Sequence, residues 1–228
     1  MLLCWLLFIP FIGGLACWAT SRRRDNAGLA RVIAFLSMAA VFVPAVVVWF
    51  TGDFSLSGDP SIAPAWQYEI AADWISRFGI EFHLALDGLS LVMILLASVL
   101  GMLSVVASAS SVKSRVGVFH ANLLWTLGGV IGIFLAIDLF LYFFFWELML
   151  IPMYFLIALW GHEENDRSTN TAAAVKFFIY TQTSGLAMLA AILGLVFVHY
   201  DQTGVLTFDY NQLLTTDTSG AFGMVLML

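Results

Sequence analysis

Apolar and charged positions are sorted along this chain into separate runs. Stretches of about 20 apolar residues, the length an α-helix needs to cross a bilayer, alternate with short charged segments. They predict spans at roughly 2–20, 30–50, 86–108, 117–136, 139–160 and 172–199. A seventh apolar run begins near Ala221 and is cut off at Leu228. The short alternating segments of a transmembrane β-barrel are absent from this pattern. The predicted architecture is an all-α, polytopic transmembrane helix bundle with six complete spans and the start of a seventh.

One stretch needs a length argument. Between Val116 and Trp160 the acidic residues are Asp138 and Glu147. As a single helix those 45 residues, at about 1.5 Å each, would be roughly twice the hydrocarbon thickness. Two spans with a tight turn near Asp138 are therefore expected. Asp87, directly before Gly88-Leu89-Ser90, stands where a side chain caps the first turn of a helix, here span 3. The segment from Trp66 to Phe82 mixes Trp66, Tyr68, Trp74 and Phe78 with charges, and reads as a structured segment lying at the membrane surface.

Charge adds a direction. Arg22, Arg23, Arg24 and Arg31 flank the first connection, Lys113 and Arg115 the third, and Arg167 and Lys176 the fifth. Arg77 alone falls in a connection of opposite parity, so eight of the nine basic residues share one side. Basic residues mark the cytoplasmic face, which places the N-terminus outside. The outer connections are acidic, with Asp53, Asp59, Glu69, Asp73 and Glu81 in the long one and Asp201, Asp209 and Asp217 after span 6. Met1 to Ala19 is apolar from the first residue, and its arginines follow rather than precede it. That is the order of an uncleaved first span, opposite to a secretory signal.

Composition agrees: 61% of residues are apolar and 11% charged, with a mean hydropathy of +0.95. A soluble domain carries about 25% charged residues. The net charge of −6 says little about partners because the two signs lie on different connections. Cys4 and Cys17 both sit in the first apolar run without the spacing of a metal site, and read as small buried side chains. No glycine-rich phosphate loop or nucleotide fingerprint occurs, and nothing points to nucleic acid as a partner.

The chemistry concentrates on Glu147, in the run from Tyr142 to Pro152. It lies about 12 Å into span 5, where an ionisable group costs about 2.5–3.5 kcal/mol on insertion scales. Such a group must face protein or water, and there it can exchange a proton. Pro152 removes the hydrogen bond to the Leu148 carbonyl and should kink the helix beside Glu147. The plainer alternative is a glutamate that pins two helices together. Lys176 sits about one turn inside the cytoplasmic end of span 6. It either snorkels to the interface or heads a polar stripe with Tyr180, Thr183 and Ser184 that supports a proton wire or packs helices. His83, His120, His162 and His199 lie at or near span ends. Haem ligation would need pairs at matching depth on facing helices, and structural or interfacial histidines are the alternative.

The run HANLLWTLGGVIGIFLAIDLFLYFFFWELMLIPMYFLIALWG, followed by KFFIYTQTSG, closely resembles chain M of bacterial respiratory complex I, the homologue of mitochondrial chain 4. LLFIPFIGG near the N-terminus, HLALDGLSL before span 3 and VFVHYDQTGVLTFDY after span 6 resemble it too. The FFFWE-to-proline stretch is shared more widely, with subunits of multisubunit cation/proton antiporters and membrane-bound hydrogenases. The resemblance implies a proton-pumping membrane subunit of NADH:quinone oxidoreductase, in the bacterial cytoplasmic membrane beside the other membrane subunits of the complex. NADH, FMN, iron–sulfur clusters and quinone would belong to partner subunits, with no redox catalytic site in this chain. It implies proton transfer at Glu147, paired in the family with a lysine on the seventh span. Lys176 matches the KFFIYTQ motif. Residues 1–108 would form an N-terminal three-span region with an extracytoplasmic loop at 51–85, and 109–228 the start of the antiporter-like domain. The alternatives are a subunit of a sodium/proton antiporter or membrane-bound hydrogenase, and a truncated chain with only a structural or assembly role.

Overall fold

A bilayer offers no water to backbone amides, so a chain of this composition crosses it by satisfying them within helices. The computed structural model describes residues 1–23, 26–52, 66–161 and 167–218. Six helices in it are long and apolar enough to cross a membrane. They are α1 (Leu2–Arg23), α2 (Ala27–Thr51), α3 (Gly88–Ser111), α4 (Val116–Leu135), α5 (Leu139–Trp160) and α6 (Arg167–Thr203). A short α7 (Tyr210–Leu213) follows. The long apolar stretch does divide in two, with Asp138 at the junction, and Asp87 caps α3 by accepting from the Ser90 amide at 2.7 Å. Helix α6 is longer than expected: its 37 residues make about 55 Å, so it extends past the hydrocarbon layer. The seventh apolar run and His162 lie outside the described residues.

Helix α1 packs against both α2 and α4, α3 packs on α2 and α4, and α5 and α6 follow outward from α4. The main core lies among the first five helices, around Leu3, Leu7, Met38, Leu91, Leu124, Ile131 and Leu141, all essentially inaccessible. Close approach of α4 and α5 depends on glycine. A Cβ on Gly129 would stand 2.7 Å from the Met149 Cβ, and one on Gly132 would enter the Phe145 ring. Association of helices in lipid relies on such contacts rather than on expelling water.

The segment expected to lie structured at the surface is a β-hairpin, an addition to the helical bundle. Strand β1 (Tyr68–Ile75) pairs antiparallel with β2 (Ile80–Leu86), from Tyr68 opposite Leu86 to Ile75 opposite Ile80. The turn ends at Gly79, whose φ of +64° suits glycine. A Cβ there would also run into the Leu206 carbonyl, and the Gly79 carbonyl accepts from the Phe208 amide at 3.2 Å. The hairpin lies on the outer side in the orientation that the basic residues predict. Trp74 meets Phe144 edge-on at 5.6 Å, tying β1 to α5.

The α4–α5 turn is clamped between β2 and the strand-like segment before α7. Ile137 N–H donates to the His83 carbonyl and Leu139 N–H to the Phe208 carbonyl, while the Ile137 carbonyl accepts from Tyr210. The fully buried Asp138 accepts from Leu141 N–H at 2.9 Å through Oδ1 and from Glu81 N–H at 3.0 Å through Oδ2. Beside it, His83 has Glu69 at 2.6 Å on Nε2 and Asp209 at 2.8 Å on Nδ1.

Two outcomes are expected from this packing. Gly132→Val should cost about 1–3 kcal/mol by overpacking, read as a lower unfolding midpoint in detergent; an unchanged midpoint would refute the contact. Burial pushes the Asp138 carboxyl above its ordinary value, and Asp209 adds to this, while the amides of Glu81, Leu141 and Phe140 oppose it. A carboxyl raised in the fold holds its proton more tightly there than in the unfolded chain. Its contribution is therefore complete below the ordinary value of 3.8 and is lost as pH rises through the raised one. The stability advantage of the wild type over Asp138→Asn should accordingly shrink as pH rises from the ordinary value of 3.8 through the raised one. An advantage that grows over this range would contradict the assignment.

Candidate functional site

Helix α5 is apolar on every side, so its packing decides where its one carboxylate points. Phe145 and Met149 face α4 at Gly132 and Gly129. Glu147 is two residues from each, about 200° around the helix at 100° per residue. The α4 contact therefore turns Glu147 away from α4 and towards α6. There it is half-buried, with Oε1 enclosed and without a hydrogen-bond partner among the described residues. A Cβ placed on Gly185 of α6 would overlap Glu147 Oε1. The neighbouring Trp146 Nε1 is also enclosed without a partner, and Trp146 Cδ1 lies 3.8 Å from the same Gly185 position. An enclosed acceptor and an enclosed donor thus flank one point on the α5–α6 interface, 8 residues in from the start of α5 at Leu139. Helix α5 runs unbroken through Pro152. That residue has no N–H, so the Leu148 carbonyl, one residue beyond Glu147, lacks its helical donor.

Lys176 is not brought to Glu147. It lies nine residues before Gly185, which is two and a half turns and so about half a turn out of phase. The buried stripe of α6 runs through Ala174, Gly185, Ile192 and Val196. Lys176, Tyr180, Thr183 and Ser184 are exposed, with Tyr180 75% accessible. The polar stripe expected from spacing is present, on the face turned from α5. Thr183 returns its hydroxyl to the Ile179 carbonyl of the same helix at 2.7 Å.

The described histidines are engaged with the protein. His120 is buried and its Nδ1–H donates to the Val116 carbonyl at 2.8 Å, with Ser108 Oγ 3.4 Å from Nε2. His199 Nδ1 is 2.8 Å from Thr216 Oγ1. Cys17 is a buried side chain donating to the Ala30 carbonyl at 3.3 Å. Among the described residues no group of three or more His, Cys, Asp or Glu could hold a metal ion.

Sequence reasoning missed two features. The Glu69–His83–Asp209 cluster joins residues 14 and 126 positions apart, a separation that no spacing rule reports. A partial signal was the alternation of apolar Ile80, Phe82 and Leu84 with polar Glu81 and His83, which suits a strand with two faces. Gly185 gave less: it is one of two glycines, with Gly194, in a long helical run.

Residues 136–228 match the family described as NADH:quinone oxidoreductase/Mrp antiporter, transmembrane region. Subunit M of the NADH-quinone oxidoreductase of Pseudomonas aeruginosa is 56% identical over 229 aligned residues, which is 100% of this chain and 45% of that protein. The chain thus spans less than half the length of this curated relative. In the respiratory complex I of Thermus thermophilus, a subunit superposes with a TM-score of 0.74 at 24% identity, over 99% of this chain and 43% of that one. A subunit of the Mrp complex of a Dietzia species superposes with a TM-score of 0.73 at 19% identity, over 100% and 23%. Both structures share the fold. Six apolar helices and bacterial relatives of this kind make the chain a multi-pass protein of the bacterial cytoplasmic (inner) membrane. The resemblance to subunit M of NADH-quinone oxidoreductase holds along the whole of this chain, which corresponds to the N-terminal part of those relatives.

Proposed function

We propose that this chain serves in an antiporter-like membrane subunit of NADH:quinone oxidoreductase and takes part in proton translocation, with Glu147 as a proton-transfer group. The supporting observation is the enclosed carboxylate oxygen at the α5–α6 interface, deep in an apolar helix and without a hydrogen-bond donor among the described residues. An ionisable side chain at such depth is costly to insert and is retained where it serves a pathway. In this reading residues 109–228 begin the antiporter-like domain and 1–108 are its N-terminal three-span region.

The working step is electrostatic. A cation within about 4–6 Å of a carboxylate shifts its proton equilibrium roughly ten- to thousandfold towards the ionised form. Withdrawing the cation lets the carboxylate take a proton up again. Glu147 would thus release and regain a proton as a neighbouring positive charge approaches and retreats. Lys176 belongs to the same path on the cytoplasmic side, making its contacts on the face of α6 turned from α5. The oxidoreductase chemistry, with NADH, FMN, iron–sulfur clusters and quinone, takes place in partner subunits, and the other membrane subunits of the complex are this chain's neighbours.

A second reading has its own support: the matching family description names Mrp antiporters together with the oxidoreductase, and the fold is shared with an Mrp complex. There Glu147 would serve cation/proton exchange without redox drive.

Glu147→Gln, made in the full-length chain within its membrane complex, keeps the volume and removes the titration. NADH-driven acidification of inverted vesicles should fall at least about tenfold, the scale of losing one positioned proton-transfer group, with the subunit still assembled. Acidification at the wild-type rate would refute the role of Glu147. Sodium-driven proton movement without NADH would select the second reading.

A further inference from the structure

We propose that Gly185 is a positioning residue for Glu147: its missing side chain makes a notch on α6 in which the carboxylate oxygen Oε1 is seated. The inference rests on the proton-transfer reading of Glu147 and adds the group that fixes where the carboxylate stands. A glycine inside a helix is unfavourable relative to alanine, and α6 carries alanine close by at Ala187, Ala190 and Ala191. Position 185 therefore has a reason to lack a Cβ, and two kinds of reason occur in this bundle.

Gly129 illustrates the first. Its added Cβ would meet Met149 at Cβ, Cα and N, at 2.7, 3.3 and 3.3 Å, so the space is needed for backbone approach. Gly185 is of the other kind. The nearest atom to its added Cβ would be Glu147 Oε1, then Glu147 Cδ at 3.4 Å and Trp146 Cδ1 at 3.8 Å, with no backbone atom among the three. The notch is filled by the head of one side chain. That head is the carboxylate of the chain's one acidic residue within the span from Leu139 to Trp160.

The seat has a geometric consequence. Held against α6, the carboxylate presents to any approaching cation from the α5–α6 side, at a fixed distance from Trp146. A methyl group at position 185 would expel Oε1 and force the side chain into another rotamer. A displacement on the order of 1 Å costs about a hundredfold in a step that depends on contact geometry. A carboxylate shorter by one methylene would stand clear of that methyl group.

The test uses the full-length chain in its membrane complex, comparing Gly185→Ala, Glu147→Asp, and the two combined. Assembly is read by subunit content of the purified complex, and function by NADH-driven acidification of inverted vesicles. Gly185→Ala should lower acidification at least about tenfold, and adding Glu147→Asp should recover at least half of the rate of Glu147→Asp alone. If Gly185→Ala prevents assembly, the double variant should restore it. Wild-type acidification in Gly185→Ala overturns the proposal. So does a double variant no better than Gly185→Ala in either readout, because a purely helix-packing role for the glycine is indifferent to carboxylate length. Failure of the underlying reading is separate: Glu147→Gln would then acidify normally, whatever Gly185→Ala does.

Discussion

The outer side of this structure depends on the buried carboxylate of Asp138. An apolar stretch twice the thickness of a bilayer must reverse within three residues, Ala136 to Asp138, between the end of α4 and the start of α5. At such a reversal the first amides of the second helix have no helical acceptor. Asp138 supplies one through Oδ1, and with Oδ2 takes the Glu81 amide, so one side chain both starts α5 and holds the hairpin against it. The backbone on either side completes the clamp, with Ile137 and Leu139 bonded to β2 and to the segment before α7. The polar groups at this level are thereby paired with one another rather than left to lipid.

From that anchor the site follows by helical geometry. A helix started at Leu139 places Leu141, Phe145 and Met149 along one side, and glycines of α4 admit Phe145 and Met149. The opposite side then has to accept Glu147. Helix α6 does so with the smallest residue available and presents its polar stripe, Lys176 included, elsewhere. Lys176 thus stands two and a half turns along α6 from the position that meets Glu147 and half a turn around it. An intimate pair would neutralise each other; separated charges remain free to respond to groups that approach from other directions.

The two carboxylate environments contrast. Asp138 has a backbone donor for each oxygen, and polar groups satisfied in this way hold a structure in one arrangement. Glu147 has an enclosed oxygen with none among the described residues. Unmet hydrogen-bonding capacity is destabilising, and it is concentrated where the proposed chemistry needs a group able to change its partner. The clamped carboxylate stands at the start of α5, and the adaptable one lies nine residues, or two and a half turns, further on.

Much of this was legible in the residues alone. Six spans, the division at Asp138, the Asp87 cap and the singularity of Glu147 all follow from rules that act within about 20 residues: hydrocarbon thickness, rise per residue, capping, and the cost of a buried charge. The hairpin was visible only as a structured segment, because the pairing of its strands is a contact between residues up to 18 positions apart. What stayed hidden depends on which helix meets which. The seat of Glu147 on Gly185, the half-turn separation of Lys176, and the Glu69–His83–Asp209 cluster all join residues far apart in sequence. A one-dimensional pattern records how far into the membrane a residue lies and which stretch carries it. Its direction is decided by packing, since a helix that is apolar all round has no preferred face until glycines on its neighbours create one.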